Sequence, residues 1–253
     1  MLCRSAFLVA GILLTSLGPL FAQEAFGEDH GILKRVSMEI IVSELTNRGV
    51  KVGLITVPSD PAKAVTMAQE AKIIQAMPES ERSWRESFVL GNFQRHATPP
   101  ECTIAYRDEC YSINLPGDLS NPETTKETLQ KVVALDSRYE LIWSKGFPVI
   151  CPRNDSVRDI RVNITLVGTP AFDAVGKLGE ALAGDKLNLV EASIGPTPTN
   201  MIYGTNQISL NFVNVPLIGA FCRFAEALGA DYNWEILGTK GYGRNFGFGR
   251  VAH

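Results

Sequence analysis

Two stretches of the C-terminal half repeat each other at a spacing of 46 residues, and this repeat limits the possible folds more than any other feature. The first copy runs from Val162 to Leu182 and the second from Ile208 to Leu228. Identical residues occupy the matched positions Val167/Val213, Pro170/Pro216, Ala174/Ala220, Glu180/Glu226, Ala181/Ala227 and Leu182/Leu228. Most other matched positions keep their polarity, which indicates that one structural unit occurs twice.

Each copy changes its hydrophobic period at a proline. Before Pro170 and Pro216, apolar and polar residues alternate, as in a half-buried strand. After the proline, the period of an amphipathic helix takes over, and proline suits the first turn of a helix. The predicted apolar stripes are Ala171, Ala174, Val175, Leu178 and Leu182 in the first copy, and Leu217, Ala220, Phe221, Phe224 and Leu228 in the second. Further strands at 186–190 and 231–236 complete the predicted α/β (α+β) fold, which consists of repeated small strand–helix–strand modules with mixed sheets.

Similar half-units precede the repeat. The pattern predicts a helix over 36–48 that ends at Gly49, a strand over 50–57 and a strand over 111–115. It also predicts a helix that Asn121 and Pro122 begin, and a hairpin of 139–143 with 147–150 whose second strand is a sheet edge because it contains Pro148. We therefore expect an N-terminal module over 36–152 with a helical insertion at 60–95, a C-terminal repeated module over 153–237 and a Gly/aromatic tail over 238–253.

The N-terminus has the pattern of a secretory signal peptide. Arg4 precedes the apolar run Ala6–Phe21, and Ala22 stands before a polar stretch. The run is shorter than the ~20 residues of a bilayer span, so we expect cleavage after Ala22 and a flexible mature N-terminus over 23–35. An uncleaved anchor helix is the alternative. We expect no transmembrane segment in the mature chain and a periplasmic or secreted location.

Four cysteines are left after the predicted cleavage removes Cys3. An even number of cysteines in an exported protein favours disulfides. Cys102 and Cys110 lie close enough in sequence for a local crosslink, and Cys151 with Cys222 would then be the long-range pair. Buried free thiols are the alternative.

The residues from Ile208 to Tyr232 resemble the secretin and TonB short N-terminal (STN) domain. In that family an alternating strand is followed by Pro-Leu, an amphipathic helix, a glycine and an aromatic strand, as at Pro216, Gly229 and Tyr232. The stretch 121–152 is similar to the second half of the family domain, and 36–57 to its first helix and strand. The resemblance implies a periplasmic domain that binds partner proteins and has no catalytic residues. The insertion at 60–95 and the four cysteines depart from the family pattern.

The sequence shows no established catalytic motif. Cys102 lies near His96 and beside Glu101, and Asp108 adjoins Glu109, but a crosslink is favoured for the cysteine and a solvated or N-capping role for the carboxylates. With three histidines and no Cys-x2-Cys spacing, we assign no catalytic residue, no metal ligand and no cofactor. A net charge of −3 and a pI near 5.7 argue against nucleic acid as a partner.

The tail over 238–253 interleaves aromatic and basic residues with glycines. The candidate interaction residues are Tyr242, Arg244, Phe246, Phe248 and Arg250. A flexible tail or an added edge strand is the simpler interpretation, and a segment that docks within the chain or onto a partner is the other.

These patterns favour an exported, non-enzymatic envelope protein that acts by protein–protein interaction through STN-like modules. One alternative is a secreted enzyme whose site is not visible in the sequence. Another is an envelope protein that binds a glycan or other ligand through Trp84, Trp143, Trp234 and the tail. The partner would be an unidentified envelope protein.

Overall fold

The structure is a computed structural model that describes residues 32–58, 65–79, 82, 103–104, 111–183, 189–194, 207–239 and 243–250. In chain order the elements begin with β1 (Ile32–Val36), α1 (Met38–Asn47), β2 (Gly53–Ile55), β3 (Val65–Thr66), α2 (Met67–Gln75), β4 (Thr103–Ile104), β5 (Tyr111–Asn114), α3 (Pro122–Ala134), β6 (Tyr139–Ser144) and β7 (Phe147–Pro152). They continue with a 3-10 helix (Ser156–Asp159), β8 (Arg161–Pro170), α4 (Ala171–Leu182), β9 (Leu189–Ile194), β10 (Gln207–Pro216), α5 (Leu217–Leu228), β11 (Tyr232–Thr239) and β12 (Gly243–Arg250). Helices and mixed sheets confirm the predicted α/β class.

The chain divides into two compact units. The first comprises Met1–Ser37 and Ser59–Gly117. Its described strands form two antiparallel pairs, β1 with β5 and β3 with β4. Helix α2 begins with a reciprocal capping box, in which Thr66 and Gln69 each accept the other's backbone N–H. The predicted helical insertion is thus helical over Met67–Gln75, and residues 83–95 lie outside the described part.

The second unit comprises Met38–Pro58 and Asp118–His253. Local signals set the helix ends here. The Asn121 side chain accepts the N–H groups of Glu123 and Thr124 at the start of α3, and Gly49 takes a positive φ of 85° just after α1. Helix α1 begins at Met38 and not at Val36, because Val36 belongs to β1.

A six-stranded mixed sheet organises the second unit, in the order β6-β7-β2-β11-β12-β9. The predicted hairpin is present. Lys145 and Gly146 both have positive φ, as a two-residue type I′ turn requires. The prediction that Pro148 marks an edge strand is wrong, since β7 lies between β6 and β2. Pro148 is tolerated because the pairing of β7 with β2 begins one residue later, at Val149 opposite Gly53.

The two copies of the 46-residue repeat pair with each other. Strands β8 and β10 form a separate antiparallel two-stranded ribbon in which Thr165 lies opposite Asn211, its own counterpart in the other copy. Every other pair in the register also maps onto another pair when the copies are exchanged, for example Gln207↔Pro170 onto Pro216↔Arg161. The two strands are therefore related to each other by a local twofold axis.

One apolar core joins the ribbon, helices α4 and α5 and the six-stranded sheet. Both predicted helical stripes are buried in full. Around Phe221 of α5, the rings of Trp234, Phe246 and Phe248 lie with centroids 5.2, 5.2 and 5.5 Å away. Aromatic packing of this kind adds to the area buried and fixes how α5 sits on β11 and β12.

Candidate protein-binding surface

The middle of the ribbon's outward face carries six uncharged side chains, and the exposed Arg161 and Gln207 lie beyond them at the starts of the two strands. On both strands the inward residues are buried or half-buried, whereas the alternate residues are exposed. We call the outward set the ribbon face. Its members are Asn163, Thr165 and Val167 on β8, and Ser209, Asn211 and Val213 on β10. Because exchange of the two copies relates Val167 to Val213, the face has twofold symmetry in backbone position.

A bulge shapes each end of the ribbon face. Val167 and Gly168 together lie opposite Ser209, and Val213 and Asn214 together lie opposite Asn163, at the two shifts of register. Gly168 and Asn214 have φ of 51° and 54°, a left-handed conformation that glycine and asparagine tolerate better than other residues. Bulges increase the local twist of a ribbon and redirect its side chains.

The polar side chains of the ribbon face bond to the ribbon itself. Ser209 Oγ accepts the backbone N–H of Gly168 at 2.9 Å, and Asn163 Oδ1 accepts that of Asn214 at 2.7 Å. At the centre, Thr165 Oγ1 donates to Asn211 Oδ1 at 3.0 Å. These oxygens are thereby partly satisfied without a partner molecule.

The three most exposed large apolar side chains of the described residues are two members of the ribbon face and one residue of α4. Val167 is 80% exposed, Val213 is 72% exposed, and Phe172 in the first turn of α4 is 60% exposed. Exposed apolar residues are expected at the centre of a protein–protein interface, and none of the six members of the ribbon face is charged. The ribbon face can therefore bury apolar area against another protein with little cost in desolvating charge.

The structure does not place the candidate interaction residues of the tail together on an exposed surface. Phe246 and Phe248 are each 1% exposed and belong to the core, so the expectation that these rings are exposed is wrong. Strand β12 lies between β11 and β9, which makes it an inner strand and not an added edge. The segment docks within the chain, because its alternate aromatic side chains complete the core beneath α5.

Arg244 also turns inward. Its Nη2 donates to Asp155 Oδ2 at 2.5 Å, and the two side chains are 13% and 5% exposed. Asp155 in addition accepts the N–H of Val157 and so caps the 3-10 helix. Tyr242 lies outside the described residues, and of Arg250 only the backbone, in β12, is described.

The predicted Cys151–Cys222 disulfide is contradicted. Both cysteines are free and buried, Cys151 on β7 and Cys222 on α5. Burial raises the pKa of Cys151 to about 11, against a smaller lowering by Arg158. Burial likewise raises the pKa of Cys222 to about 11, while Trp234 and Ser144 oppose the rise. Each thiol therefore behaves as a small apolar core residue and a poor nucleophile. Cys102 and Cys110 lie outside the described residues.

The tryptophans differ in environment. Trp234 is 1% exposed in the core, Trp143 on β6 is 50% exposed, and Trp84 lies outside the described part of the chain. A glycan site built on Trp234 would therefore require that its ring leave the core. The catalytic candidates His96, Glu101, Asp108 and Glu109 also lie outside the described residues, as does the predicted signal peptide.

Within the described residues, no three His, Cys, Asp or Glu side chains are grouped so that they could hold a metal ion. No described helix has both the length and the apolar character needed to cross a bilayer. Comparison of the chain with family models, with curated proteins and with solved structures gives no match in any of the three.

Sequence reasoning missed the ribbon face. The available signal was Gly168 and Asn214, each of which interrupts the strict alternation of its strand at matched positions of the repeat. A glycine or asparagine inside a strand pattern indicates a bulge. A bulge beside an outward valine is then a reason to examine that strand for a binding surface.

Proposed function

We propose that this chain is an exported, non-enzymatic envelope protein that acts by binding another protein through STN-like modules. The observation that carries the proposal is the ribbon face, on which two exposed valines flank a row of polar groups that are bonded within the ribbon. The order of elements from β10 to β11 supports the family resemblance, since strand, Pro-Leu, helix, Gly229 and aromatic strand follow in the expected sequence. The signal-peptide pattern supports export.

The residues that pack around the ribbon explain how it can present a rigid surface. The inward side chains Val162, Leu166, Ile208 and Phe212 are each at most 2% exposed and belong to the same core as α4 and α5. A partner would thus meet side chains whose backbone is already ordered, which lowers the entropic cost of association.

The first experiment tests binding by site-specific crosslinking in cells that express the protein naturally. A photoreactive benzoylphenylalanine replaces Val167 or Val213, and the control replaces Lys177, an exposed residue of α4. We expect both valine positions to give an adduct with the same second protein, and the control to give none. Absence of an adduct at both valines, or an adduct only between two copies of this chain, would contradict the proposal.

The purified partner then provides a quantitative measurement. We expect Val167→Lys and Val213→Lys each to weaken binding about tenfold or more, because each places a charge at the desolvated centre of the interface. Unchanged far-UV circular dichroism establishes that the variants fold. Unchanged affinity of both variants would place the contact elsewhere.

Export is tested separately by N-terminal sequencing of the protein recovered from the cell envelope. Cleavage after Ala22 leaves Gln23 as the first residue. A chain that keeps residues 1–22 would support the anchor alternative and would contradict the predicted cleavage.

A further inference from the structure

The six-stranded sheet consists of two sets of three strands with the same internal pairing. In the first set, β6 and β7 form an antiparallel hairpin and β7 pairs in parallel with β2. In the second set, β11 and β12 are antiparallel neighbours and β12 pairs in parallel with β9. Strands β2 and β9 each follow the first helix of their set, α1 and α4, whereas β6 and β11 each follow the second, α3 and α5. Thus β9 is the counterpart of β2, and β11 is the counterpart of β6.

A parallel junction between β2 and β11 joins the two sets. Gly53, Leu54 and Ile55 lie opposite Trp234, Glu235 and Ile236. The junction continues as Thr56 donates its N–H to the Ile236 carbonyl at 2.9 Å and accepts the Gly238 N–H on Oγ1 at 3.3 Å. The chain therefore already contains one head-to-tail contact between the two sets. In it, β2, which follows the first helix of its set, pairs with β11, which follows the second helix of its set.

The two outer strands of the sheet, β6 and β9, are the counterparts of the two strands that meet at this junction. Among the described strands, β6 pairs only with β7, and β9 pairs only with β12. β6 is the counterpart of β11, and β9 is the counterpart of β2. Across the sheet, β6 and β9 point in the same direction, because two of the five pairings between them are antiparallel. A second copy in the same orientation would thus bring its β9 parallel to β6 of the first.

Strand β6 offers the groups that such pairing needs. The two-residue turn makes Ser144 and Phe147 a hydrogen-bonded pair, and such pairs alternate along an antiparallel hairpin. The backbone N–H and C=O groups of Leu141 and Trp143 therefore point away from β7. Proteins generally protect such an edge with proline, charge or a covering element, and here Trp143 at this edge is 50% exposed.

We propose that the protein self-associates head to tail, with β9 of one copy added in parallel to β6 of the next. The occupant of the β6 edge is thus a second copy of this chain. Because the two edges differ, an open assembly always has an unpaired β6 at one end and an unpaired β9 at the other. Assembly therefore continues or closes into a ring. The surface is distinct from the ribbon face, and the inference goes beyond the proposed function.

The first measurement is the weight-average mass of the mature protein by light scattering over a wide range of concentration. We expect the mass to rise to at least about twice that of the monomer as concentration increases. Trp143→Lys should lower the mass to that of the monomer, because the charge on an edge strand opposes pairing. Val167→Lys is the matched control, since it makes the same kind of change on the ribbon face and should leave the mass unchanged.

A complementation experiment separates edge blockage from misfolding. Successive residues of a strand point their N–H groups in opposite directions, so one of Glu191→Pro and Ala192→Pro removes the outward N–H of β9 and leaves its pairing with β12 intact. The one that keeps the wild-type unfolding temperature is used. Alone, this variant and Trp143→Lys should each be monomeric. Mixed, they should form a one-to-one dimer, because one supplies an intact β9 and the other an intact β6.

Three results would overturn the inference. They are a wild-type protein that is monomeric at every concentration, self-association that Trp143→Lys does not reduce, and a mixture of the two blocked variants that stays monomeric. None of these results bears on adducts at Val167 and Val213, so self-association and the proposed function can fail independently.

Discussion

At the scale of single residues, Gly53 of β2 lies directly against the indole of Trp234 on β11. A Cβ added at Gly53 would lie 2.5 Å from two carbon atoms of that ring. Trp234 is 1% exposed and packs edge-on against Phe221 at 5.2 Å. The ring has no free space to move into, so the junction between the two strand sets requires glycine at this position.

Gly53→Ala is therefore expected to destabilise the protein by about 1 to 3 kcal/mol, the usual cost of overpacking a core. The measurement is the free energy of unfolding by chemical denaturation. Gly176→Ala on α4 is the control, because no atom lies within 4 Å of its added Cβ. Alanine there should stabilise the helix by up to about 1 kcal/mol. Equal unfolding free energies for Gly53→Ala and the wild type would contradict the observed packing.

At the scale of elements, the contact between β12 and the 3-10 helix depends on the buried pair Arg244–Asp155. Both side chains are largely removed from water, and Asp155 also caps the 3-10 helix at the N–H of Val157. Removing one member of a buried pair leaves the other charge without compensation, which costs far more than losing an exposed pair.

Asp155→Asn should accordingly lower the free energy of unfolding by about 3 kcal/mol, while its amide oxygen can still accept the Val157 N–H. Arg153→Gln provides the comparison, since Arg153 is 56% exposed, lies 3.6 Å from Glu140, and leaves Glu140 paired with Arg158 when it is removed. That variant should lose no more than about 1 kcal/mol. If the two variants lose the same stability, Arg244 does not depend on Asp155 as the structure indicates.

At the scale of the whole molecule, the two buried thiols make stability depend on alkaline pH. Each has a pKa of about 11 in the folded protein against an ordinary value of 9.0. Above pH 9 the unfolded chain releases these protons while the folded protein keeps them. The contribution of the two thiols to stability is therefore constant below about pH 9 and falls as the pH rises towards 11.

We expect this loss to reach up to about 3 kcal/mol for each thiol, since one pKa unit corresponds to 1.36 kcal/mol. The measurement is the unfolding free energy of the wild type, Cys151→Ala, Cys222→Ala and the double variant from pH 8 to 11. The variants start less stable because each leaves a small cavity, but their slopes above pH 9 should be shallower. Identical slopes in all four proteins would exclude the thiols as the cause.

The sequence determined the kinds of element and many of their ends. Alternation before Pro170 and Pro216 predicted strands, the stripes after them predicted the buried faces of α4 and α5, and Asn121 predicted the start of α3. These are local properties, because a hydrophobic period and a capping side chain act within one or two turns of the chain. The exported character and the STN-like family stay predictions.

Apart from the β6–β7 hairpin, only the tertiary structure decided which strands pair. A period of two indicates which face of a strand is buried but not which strand lies beside it. The sequence therefore predicts an edge position for β7 and an added edge or a flexible tail for β12, whereas both are inner strands of the sheet. The same limit applies to Cys151 and Cys222, whose pairing depends on distance and not on count. Pairing depends on backbone groups that all residues except proline carry alike. Which strands become neighbours is therefore set when the whole core closes around residues such as Phe246 and Phe248.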